Sequence, residues 1–368
     1  MGSRHSGGLR KCKDLCLETP GCSAFNYNDL TTSCALRRCS RPIIPPAKDL
    51  DPHYNGYWLP IEPTQSPTLD QDSILLITGG WPTTSTVELF PSVRGCSPPP
   101  LPSARSGHKT FITSDPTPLV ATCGGYTDGS RTASCLVLDL ENQSWDESRM
   151  GSLTMPRKYG AVVKLKDIGV FFLGGRDDAS RTSDFLATGS LQWQQGPPLP
   201  VVMDYFCAVQ ITNTSFITVN GDEIHEFDAA IAGPTSEEGW RVSTRWGRLQ
   251  TSRSAYPGCA KVGNKLIITG GSKKGFLKTT EVVDIASRTS STGGDMAIPR
   301  TYFELATISG ERRLTTFALG GRTSSDETVD TVEEWEEETS TWKAFGRLSK
   351  ARRNFGVVAV QKEVICPT

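Results

Sequence analysis

A pair of glycines recurs along the chain at the ends of short apolar runs. In the stretch from 170 to 188, VFFLGGRDDASRTSDFLAT, apolar residues lead into two glycines and a charged loop leads out of them. The pairs are Gly79-Gly80, Gly124-Gly125, Gly174-Gly175, Gly270-Gly271 and Gly320-Gly321, with Asn220-Gly221 filling the one gap. Successive second glycines are 45, 50, 46, 50 and 50 residues apart. A repeat of this length indicates propeller blades or long solenoid units.

Each repeat carries strand signals and no helical periodicity. A strand such as SILLIT or KLIIT precedes the glycines, a polar loop follows them, and a second strand such as SCLVLDL comes next. In four repeats a tryptophan lies 18 to 21 residues beyond the second glycine: Trp145, Trp193, Trp240 and Trp342. Short strands between turn residues predict antiparallel sheet. Because glycine has no side chain and tolerates positive φ, it allows close approach at a strand end, so we expect these glycines to be structural.

The glycine pair and the spaced tryptophan resemble kelch repeats, over about residues 72–366. The resemblance implies an all-β fold, a kelch-type β-propeller, and the repeats number six. Repeat four has Asn220 in place of a glycine and repeat five lacks its tryptophan. The first repeat also lacks a preceding strand, which ARRNFGVVAV (351–360) would supply. Pairing of this C-terminal strand with the first blade would close the ring and remove its exposed edges.

Five of the eleven cysteines lie between Cys12 and Cys39, a density typical of a disulfide-rich module. Cys12 and Cys16 fall on one face of a helical turn, and SAFNYN alternates as a strand. The segment 10–58 resembles an incomplete apple/PAN module, a small α+β fold, within a domain spanning 1–58; residues 59–71 would be a linker. The resemblance implies the bonds Cys12–Cys34 and Cys16–Cys22 and leaves the pairing of Cys39 open. A zinc site at Cys12-x3-Cys16 is disfavoured because no second ligand pair follows at the required spacing.

The remaining six cysteines belong to the repeats. Cys123 ends one strand and Cys135 begins the next, so antiparallel pairing predicts a disulfide between them. A bond between Cys96 and Cys366 would lock the first blade to the closing strand. Cys207 and Cys259 align with the same inner-strand position of adjacent blades, and we expect both to be free thiols.

Two features bear on localisation. The sequons at Asn142 and Asn213 predict N-glycosylation and agree with an extracellular, secreted or cell-surface protein. The start MGSRHSGGLRKC has no apolar core of a signal peptide, so we expect the N-terminus to be incomplete. No run of about 18 apolar residues occurs, which predicts no membrane span.

The sequence gives little support for catalysis. Copper radical oxidases resembling galactose oxidase also use kelch-type propellers, but they need a histidine pair with tyrosines and a cysteine. The two histidines of the repeats, His108 and His225, fall in units that are not adjacent, so a copper site is not assembled. No nucleophile elbow is present either. We therefore expect no catalytic residue, no metal and no cofactor, and such a copper enzyme is the enzymatic alternative.

Binding is the function that the loops of a propeller suggest. A cation recurs ahead of the third strand of three repeats, at Arg131, Arg181 and Lys278, and three such cations at one channel mouth would favour an acidic peptide or an anionic glycan. Solvated loop residues are the alternative. The acidic run 326–340 predicts either an outer edge kept soluble or a second partner surface.

Net charge and domain order also bear on the predicted function. With 39 basic and 40 acidic residues, the chain offers no electrostatic basis for nucleic-acid binding. We predict a non-enzymatic extracellular interaction protein that binds a protein or glycan ligand through the propeller loops and the N-terminal module. The alternative is an intracellular kelch adaptor, either a scaffold or a ubiquitin-ligase substrate receptor. The ligand and the oligomeric state stay open.

Overall fold

A computed structural model describes residues 73–113, 118–241, 245–309, 314–323 and 327–366, together with the backbone of three earlier strands. The chain divides into two compact units, Met1–Thr68 and Leu69–Thr368. The described part of the first unit is an antiparallel sheet in the order β2-β1-β3. Its strands are β1 (Ala24–Asn28), β2 (Ser33–Arg37) and β3 (Tyr54–Trp58).

The second unit is a six-bladed β-propeller, which confirms the predicted all-β fold. Blade one consists of β4 (Ser73–Thr78), β5 (Val87–Phe90) and β28 (Gly356–Gln361). Blade two consists of β6 (Lys109–Ile112), β7 (Val120–Cys123), β10 (Cys135–Asp139) and β11 (Ser144–Asp146). Blade three consists of β12 (Ala161–Leu165), β13 (Gly169–Leu173), β14 (Ser183–Ala187) and β15 (Gln194–Gln195).

The other three blades complete the ring. Blade four consists of β16 (Cys207–Gln210), β17 (Ser215–Asp228), β18 (Trp240–Arg241) and β19 (Arg248–Arg253). Blade five consists of β20 (Pro257–Val262), β21 (Lys265–Gly270), β22 (Thr280–Asp284) and β23 (Ser290–Gly293). Blade six consists of β24 (Glu304–Ser309), β25 (Leu314–Leu319), β26 (Thr331–Glu336) and β27 (Thr341–Arg347).

Short elements occupy the connections. A small hairpin of β8 (Tyr126–Thr127) and β9 (Ser130–Arg131) lies in the loop after Gly125. The helices are α1 (Ala229–Ala232) and α2 (Lys362–Ile365), with 3-10 turns at Asp177–Arg181 and Glu237–Gly239. Within the described residues, no helix has the length and apolar character needed to cross a bilayer.

The ring closes as the sequence predicts. Strand β28 pairs antiparallel with β4, with Gly356 opposite Thr78 and Gln361 opposite Ser73. Apolar layers fill the space between neighbouring blades, and the layer between blades six and one contains Leu75, Ile77 and Phe317. The first and last strands of the propeller are therefore held together by a full strand ladder and a buried core.

Three of the repeat tryptophans contact the preceding blade. The indole N–H of Trp145 in blade two donates to the carbonyl of Pro99, which follows blade one, at 2.9 Å. Trp193 of blade three lies edge-on to Phe111 of blade two, with ring centroids 5.7 Å apart. Trp342 of blade six donates to the Thr280 hydroxyl of blade five at 2.9 Å. The recurring spacing within the repeats thus places an indole at each of these three blade interfaces.

The paired glycines are required by close backbone contacts. Gly124 has φ of +68°, and a Cβ there would lie 2.6 Å from the carbonyl oxygen of Arg157. The next residue, Gly125, donates its N–H to that same carbonyl at 2.8 Å. A side chain at Gly124 would separate two blades, which explains why an apolar strand runs directly into two glycines.

Five buried arginines complete these contacts, a role that the sequence analysis missed. The carbonyl of Arg157 accepts a hydrogen bond from the N–H of Gly125 in blade two. The guanidinium of Arg157 donates to the carbonyls of Gly174 (2.9 Å) and Thr182 (3.1 Å) in blade three. The guanidinium groups of four other arginines bind the equivalent carbonyls of the blade that follows each of them: Arg105, Arg253, Arg300 and Arg352. Met203 occupies this position before blade four.

Candidate functional site

The propeller has two faces, defined by its loops. The loops that follow the paired glycines lie at the end where the inner strands begin, and we call this end the glycine face. The turns between the first and second strands of each blade, such as 211–214, form the opposite face. The inner strands β6, β12, β16, β20, β24 and β28 surround a central cavity of about 820 Å³.

The three cations singled out in the sequence occupy different environments. Arg131 lies in β9, where its guanidinium is 3.2 Å from a carboxylate oxygen of Asp177 in blade three. Arg181 donates to the carbonyl of Pro200 at 3.3 Å. Lys278 lies 3.5 Å from Asp295. Arg181 directly precedes Thr182 and Lys278 directly precedes Thr279, and the carbonyls of both threonines accept from buried arginines. The corresponding residue of blade two is Ser134, which lies three residues after Arg131. The three positions are therefore not equivalent in the repeats.

A ring of residues with positive φ surrounds the channel at the glycine face. Each lies just before an inner strand: Gly107, Tyr159, Tyr205, Tyr256, Tyr302 and Asn354, with φ between 46° and 67°. Backbone hydrogen bonds of 2.7 to 3.0 Å link several of them, including Gly107 N–H to the carbonyl of Asn354 and Tyr159 N–H to the carbonyl of Gly107. This conformation is strained for a bulky residue, and such strain points to a role for the side chain.

The four tyrosines of this ring contact each other, and we call them the tyrosine crown. Tyr256 lies 4.6 Å from Tyr302 and 4.7 Å from Tyr205 between ring centroids. Tyr159 of blade three contacts Tyr256 of blade five at 5.8 Å, so rings two blades apart meet over the channel axis. Tyr256 is buried, lines the cavity, and its hydroxyl has no hydrogen-bond partner in the described part of the chain. Burial raises the pKa of Tyr256 well above its usual value.

Cations lie against one side of the tyrosine crown. The Lys158 ammonium is 5.2 Å from the centroid of Tyr159 and 5.0 Å from that of Tyr126. The Arg176 guanidinium is 5.9 Å from the centroid of Tyr205. Partial burial, followed by the charge of Arg176, lowers the pKa of Lys158, and Arg131 acts in the same direction. Cations this close to ring faces gain electrostatic stabilisation.

We call this group the tyrosine–cation cluster, and its members are Tyr126, Tyr159, Tyr205, Arg131, Lys158, Arg176 and Asp177. Asp177 bridges Arg131 (3.2 Å) and Arg176 (3.7 Å). Two of the three cations therefore share one carboxylate. The arrangement leaves a local excess of positive charge beside aromatic rings, which suits an anionic group of a ligand.

The two histidines of the repeats are in separate settings. His108 is fully buried, and its Nε2 is 2.8 Å from the hydroxyl of Thr78. Burial lowers its pKa well below the usual value, helped by the charges of Arg105, Lys109 and Arg352. His225 in blade four lies 3.4 Å from Glu223. Over the described residues, no three potential ligands of the His, Cys, Asp and Glu types lie close enough together to hold a metal ion.

The structure pairs all six cysteines of the repeats. The Cys96–Cys366 bond has an S–S distance of 2.04 Å and joins residues 270 positions apart, next to the closing strand. Cys123 and Cys135 lie opposite each other on neighbouring strands and are bonded, as the strand order predicts. Cys12, Cys16, Cys22 and Cys39, and the side chain of Cys34, lie outside the described residues.

The prediction that Cys207 and Cys259 are free thiols is wrong, because the two are bonded. The inner-strand counterpart of Cys207 is Gly258: Cys207 pairs with the residue before Asn220, and Gly258 pairs with the residue before Gly270. Cys259 is the residue after this counterpart. Since alternate strand residues face opposite sides of a sheet, Cys259 faces blade four, where it bonds to Cys207.

Both glycosylation sequons lie on the opposite face. Asn142 is exposed in the turn between β10 and β11, where its amide donates to Asp139 at 2.8 Å. Asn213 is exposed in the turn between β16 and β17 and lines the mouth of the channel. Glycans at these sites would leave the glycine face uncovered.

The acidic run 326–340 includes much of the outer part of blade six, and some of its charges have internal roles. Glu333 is buried and binds Arg300 at 2.5 Å. Asp330 pairs with Arg347 at 2.7 Å, and Glu336 pairs with Lys343. Part of the run therefore stabilises the blade itself.

No protein-family model matches the chain, and no curated protein matches it. Of these residues, the sequence predicted Arg131 as a site residue, but it did not predict Lys158, Arg176 or the tyrosine crown. A signal was available, because an aromatic residue follows the inter-blade turn in MPRKYG, VMDYF, SAYPG and IPRTYF. Its meaning depends on the φ of the turn and on the closure of the ring, which bring the four rings together.

Proposed function

We propose that the chain is a non-enzymatic extracellular interaction protein that binds an anionic protein or glycan ligand on its glycine face. The observation that carries the proposal is the tyrosine–cation cluster, in which Lys158 and Arg176 lie against aromatic rings and Arg131 and Arg176 share the carboxylate of Asp177. Aromatic and arginine side chains are the residue types that dominate binding energy at protein surfaces. The three disulfides of the propeller support the extracellular part.

The proposal includes a family for each unit. Glycine pairs at strand ends and tryptophans packed on the preceding blade support a kelch-repeat propeller. The cysteine-rich sequence 12–39 and the antiparallel sheet β2-β1-β3 support an apple/PAN-like module, which would provide a second binding surface. A fold of this kind hosts many functions, so the function is argued from the cluster.

A glycan and protein array tests the proposal. The wild-type chain is compared with the variant Lys158→Glu/Arg176→Glu and with the control Lys166→Glu, whose exposed lysine lies on the opposite face of the same blade. We expect the wild type and the control to bind the same anionic features and the double variant to lose them. Signals that are unchanged in the double variant would contradict the proposal.

Two alternatives have their own readouts. An intracellular adaptor would carry reduced cysteines, which peptide mapping detects. A copper oxidase would carry stoichiometric copper, which elemental analysis of the purified protein detects. Either result would replace the proposed function.

A further inference from the structure

The tyrosine–cation cluster has a composition that restricts its ligand. Tyr159 and Tyr205 lie 5.6 Å apart between ring centroids, with their planes inclined by 35°. Both are partly exposed, unlike Tyr256, which is buried. The C–H face of a pyranose ring is flat and apolar, so it packs against the exposed part of an aromatic side chain.

The tyrosines are kept at a conformational cost. Gly107 and Asn354 occupy the equivalent positions in blades two and one, and these residue types adopt positive φ with little strain. Tyrosine at such a φ is strained by about 1 kcal/mol or more at each site. Retention of tyrosine beside Lys158 and Arg176 therefore points to a role for the ring itself, beyond the turn.

Backbone groups at the crown offer little to a peptide. The carbonyls of Gly107, Tyr205, Tyr302 and Asn354 each accept a backbone hydrogen bond from another turn of the ring. Recognition of an extended peptide by strand addition needs an unpaired backbone edge. The tyrosine–cation cluster therefore presents aromatic rings and cationic side chains, and these groups can bind a saccharide.

We propose that the tyrosine–cation cluster binds an acidic oligosaccharide, with a sugar ring against Tyr159 and Tyr205 and its carboxylate or sulfate on Lys158 and Arg176. This inference rests on the proposed function and narrows its ligand. Asp177, which already holds Arg131 and Arg176, is placed to accept hydrogen bonds from sugar hydroxyls. Arginine binds carboxylate and sulfate through paired N–H donors, whereas lysine acts as a point charge.

Titration calorimetry with four defined probes tests the inference. The probes are an oligogalacturonate hexamer, a heparin-derived hexasaccharide, neutral maltohexaose and a hexaglutamate peptide. We expect the wild type to bind at least one acidic saccharide, to bind maltohexaose at least tenfold more weakly, and to bind the peptide more weakly than the saccharide. Both acidic saccharides carry carboxylates and only the heparin-derived one carries sulfate, so binding of the latter alone would assign recognition to sulfate.

Two variants separate the ring from the charges. Tyr205→Asn removes the ring but keeps a residue that tolerates the turn, as Asn354 does in blade one. Lys158→Gln/Arg176→Gln removes the charges, and Lys166→Gln is the matched control. We expect each of the first two to weaken acidic-saccharide binding at least tenfold, and the control to stay within twofold. Thermal melting verifies that all variants are folded.

The outcomes distinguish the inference from the proposed function. Absence of binding by both acidic saccharides overturns the inference. Preferential binding of hexaglutamate that depends on Lys158 and Arg176 but not on Tyr205 also overturns it, while the proposed function stands. If no anionic ligand depends on Lys158 and Arg176, in this titration or on the array, both are wrong.

Discussion

The guanidinium of Arg352 donates a 2.8 Å hydrogen bond to the carbonyl oxygen of Gly79, which precedes it by 273 residues. The same guanidinium lies 2.8 Å from the carboxylate of Glu88, in a site where Arg352 is fully buried. Ring closure is therefore supported by a largely buried ion pair as well as by the pairing of β28 with β4. Arg105, which lies between blades one and two, donates to the equivalent carbonyls of blade two. Leu136 of blade two occupies the position that Glu88 has in blade one.

The comparison of these two arginines gives the first prediction. Arg352→Met, which copies Met203, should lower the free energy of unfolding by about 3 kcal/mol or more, because it leaves Glu88 without its counter-charge. Arg105→Met should lower it by roughly 1 to 2 kcal/mol, since its lost hydrogen-bond partners, two carbonyls and the Ser134 hydroxyl, are all uncharged. Urea unfolding of both variants measures the difference.

A double variant tests the cause. Arg352→Met/Glu88→Leu, which copies the Leu136 environment, should recover most of the stability lost in Arg352→Met, because a buried ion pair is replaceable by apolar groups. Equal losses in the single and double variants would show that Glu88 is not the source of the cost.

The glycine pairs give the second prediction. Gly124 and Gly129 both have positive φ, but a Cβ at Gly124 would lie 2.6 Å from a carbonyl oxygen and a Cβ at Gly129 would meet nothing within 4 Å. Gly129→Ala should therefore cost about 1 to 2 kcal/mol from backbone strain alone. Gly124→Ala should cost at least twice that, measured by thermal melting. Equal costs would mean that the contact with Arg157 does not require a glycine.

The repeat period and the strand signals were enough to predict the six blades and their closure, because both are local and recur. The buried arginines and the tyrosine crown depend on contacts between blades, and a repeat shows their positions without showing their partners. Cys259 illustrates the limit. It lies one residue past the inner-strand counterpart of Cys207 and so faces the other side of the sheet, and the repeat period alone does not fix that register.

The third prediction concerns pH. Burial lowers the pKa of His108 in the folded state, so between that value and about 6.5 the unfolded state binds more protons. The contribution of neutral His108 to the free energy of unfolding is therefore fully present above about pH 6.5. It is lost as the pH falls, by roughly 1 kcal/mol between pH 6.5 and 5.5. Burial lowers the pKa of His225 too, which adds a change of the same sign.

Variants assign this dependence. His108→Gln keeps a polar group beside Thr78, and its unfolding free energy should change about 1 kcal/mol less than that of the wild type over this range. His225→Gln reports the second histidine separately. A wild-type stability that is constant from pH 7.5 to 5.5 would contradict the burial of a neutral His108.

The fourth prediction concerns redox state. Protein from an oxidising expression host should contain the bonds Cys96–Cys366, Cys123–Cys135 and Cys207–Cys259, and non-reducing peptide mapping detects them. The expected N-terminal bonds Cys12–Cys34 and Cys16–Cys22 are tested in the same digest. In the chain-entropy model, the bond that closes the loop between Cys123 and Cys135 stabilises the folded state by about 3 kcal/mol. Reductant should therefore lower the melting temperature. If all these cysteines are reduced in native protein, the extracellular proposal is replaced by the intracellular adaptor.

The most direct test of the account is hydroxyl-radical footprinting of the wild-type chain with and without the anionic ligand that the array selects. We expect oxidation of Tyr126, Tyr159 and Tyr205 on the glycine face to decrease when the ligand is bound. Trp240, on the outer part of blade four, should be oxidised equally in both samples and serves as the internal control. Protection confined to the opposite face, around 211–214, with no change at the three tyrosines, would contradict the claim that the tyrosine–cation cluster is the binding site.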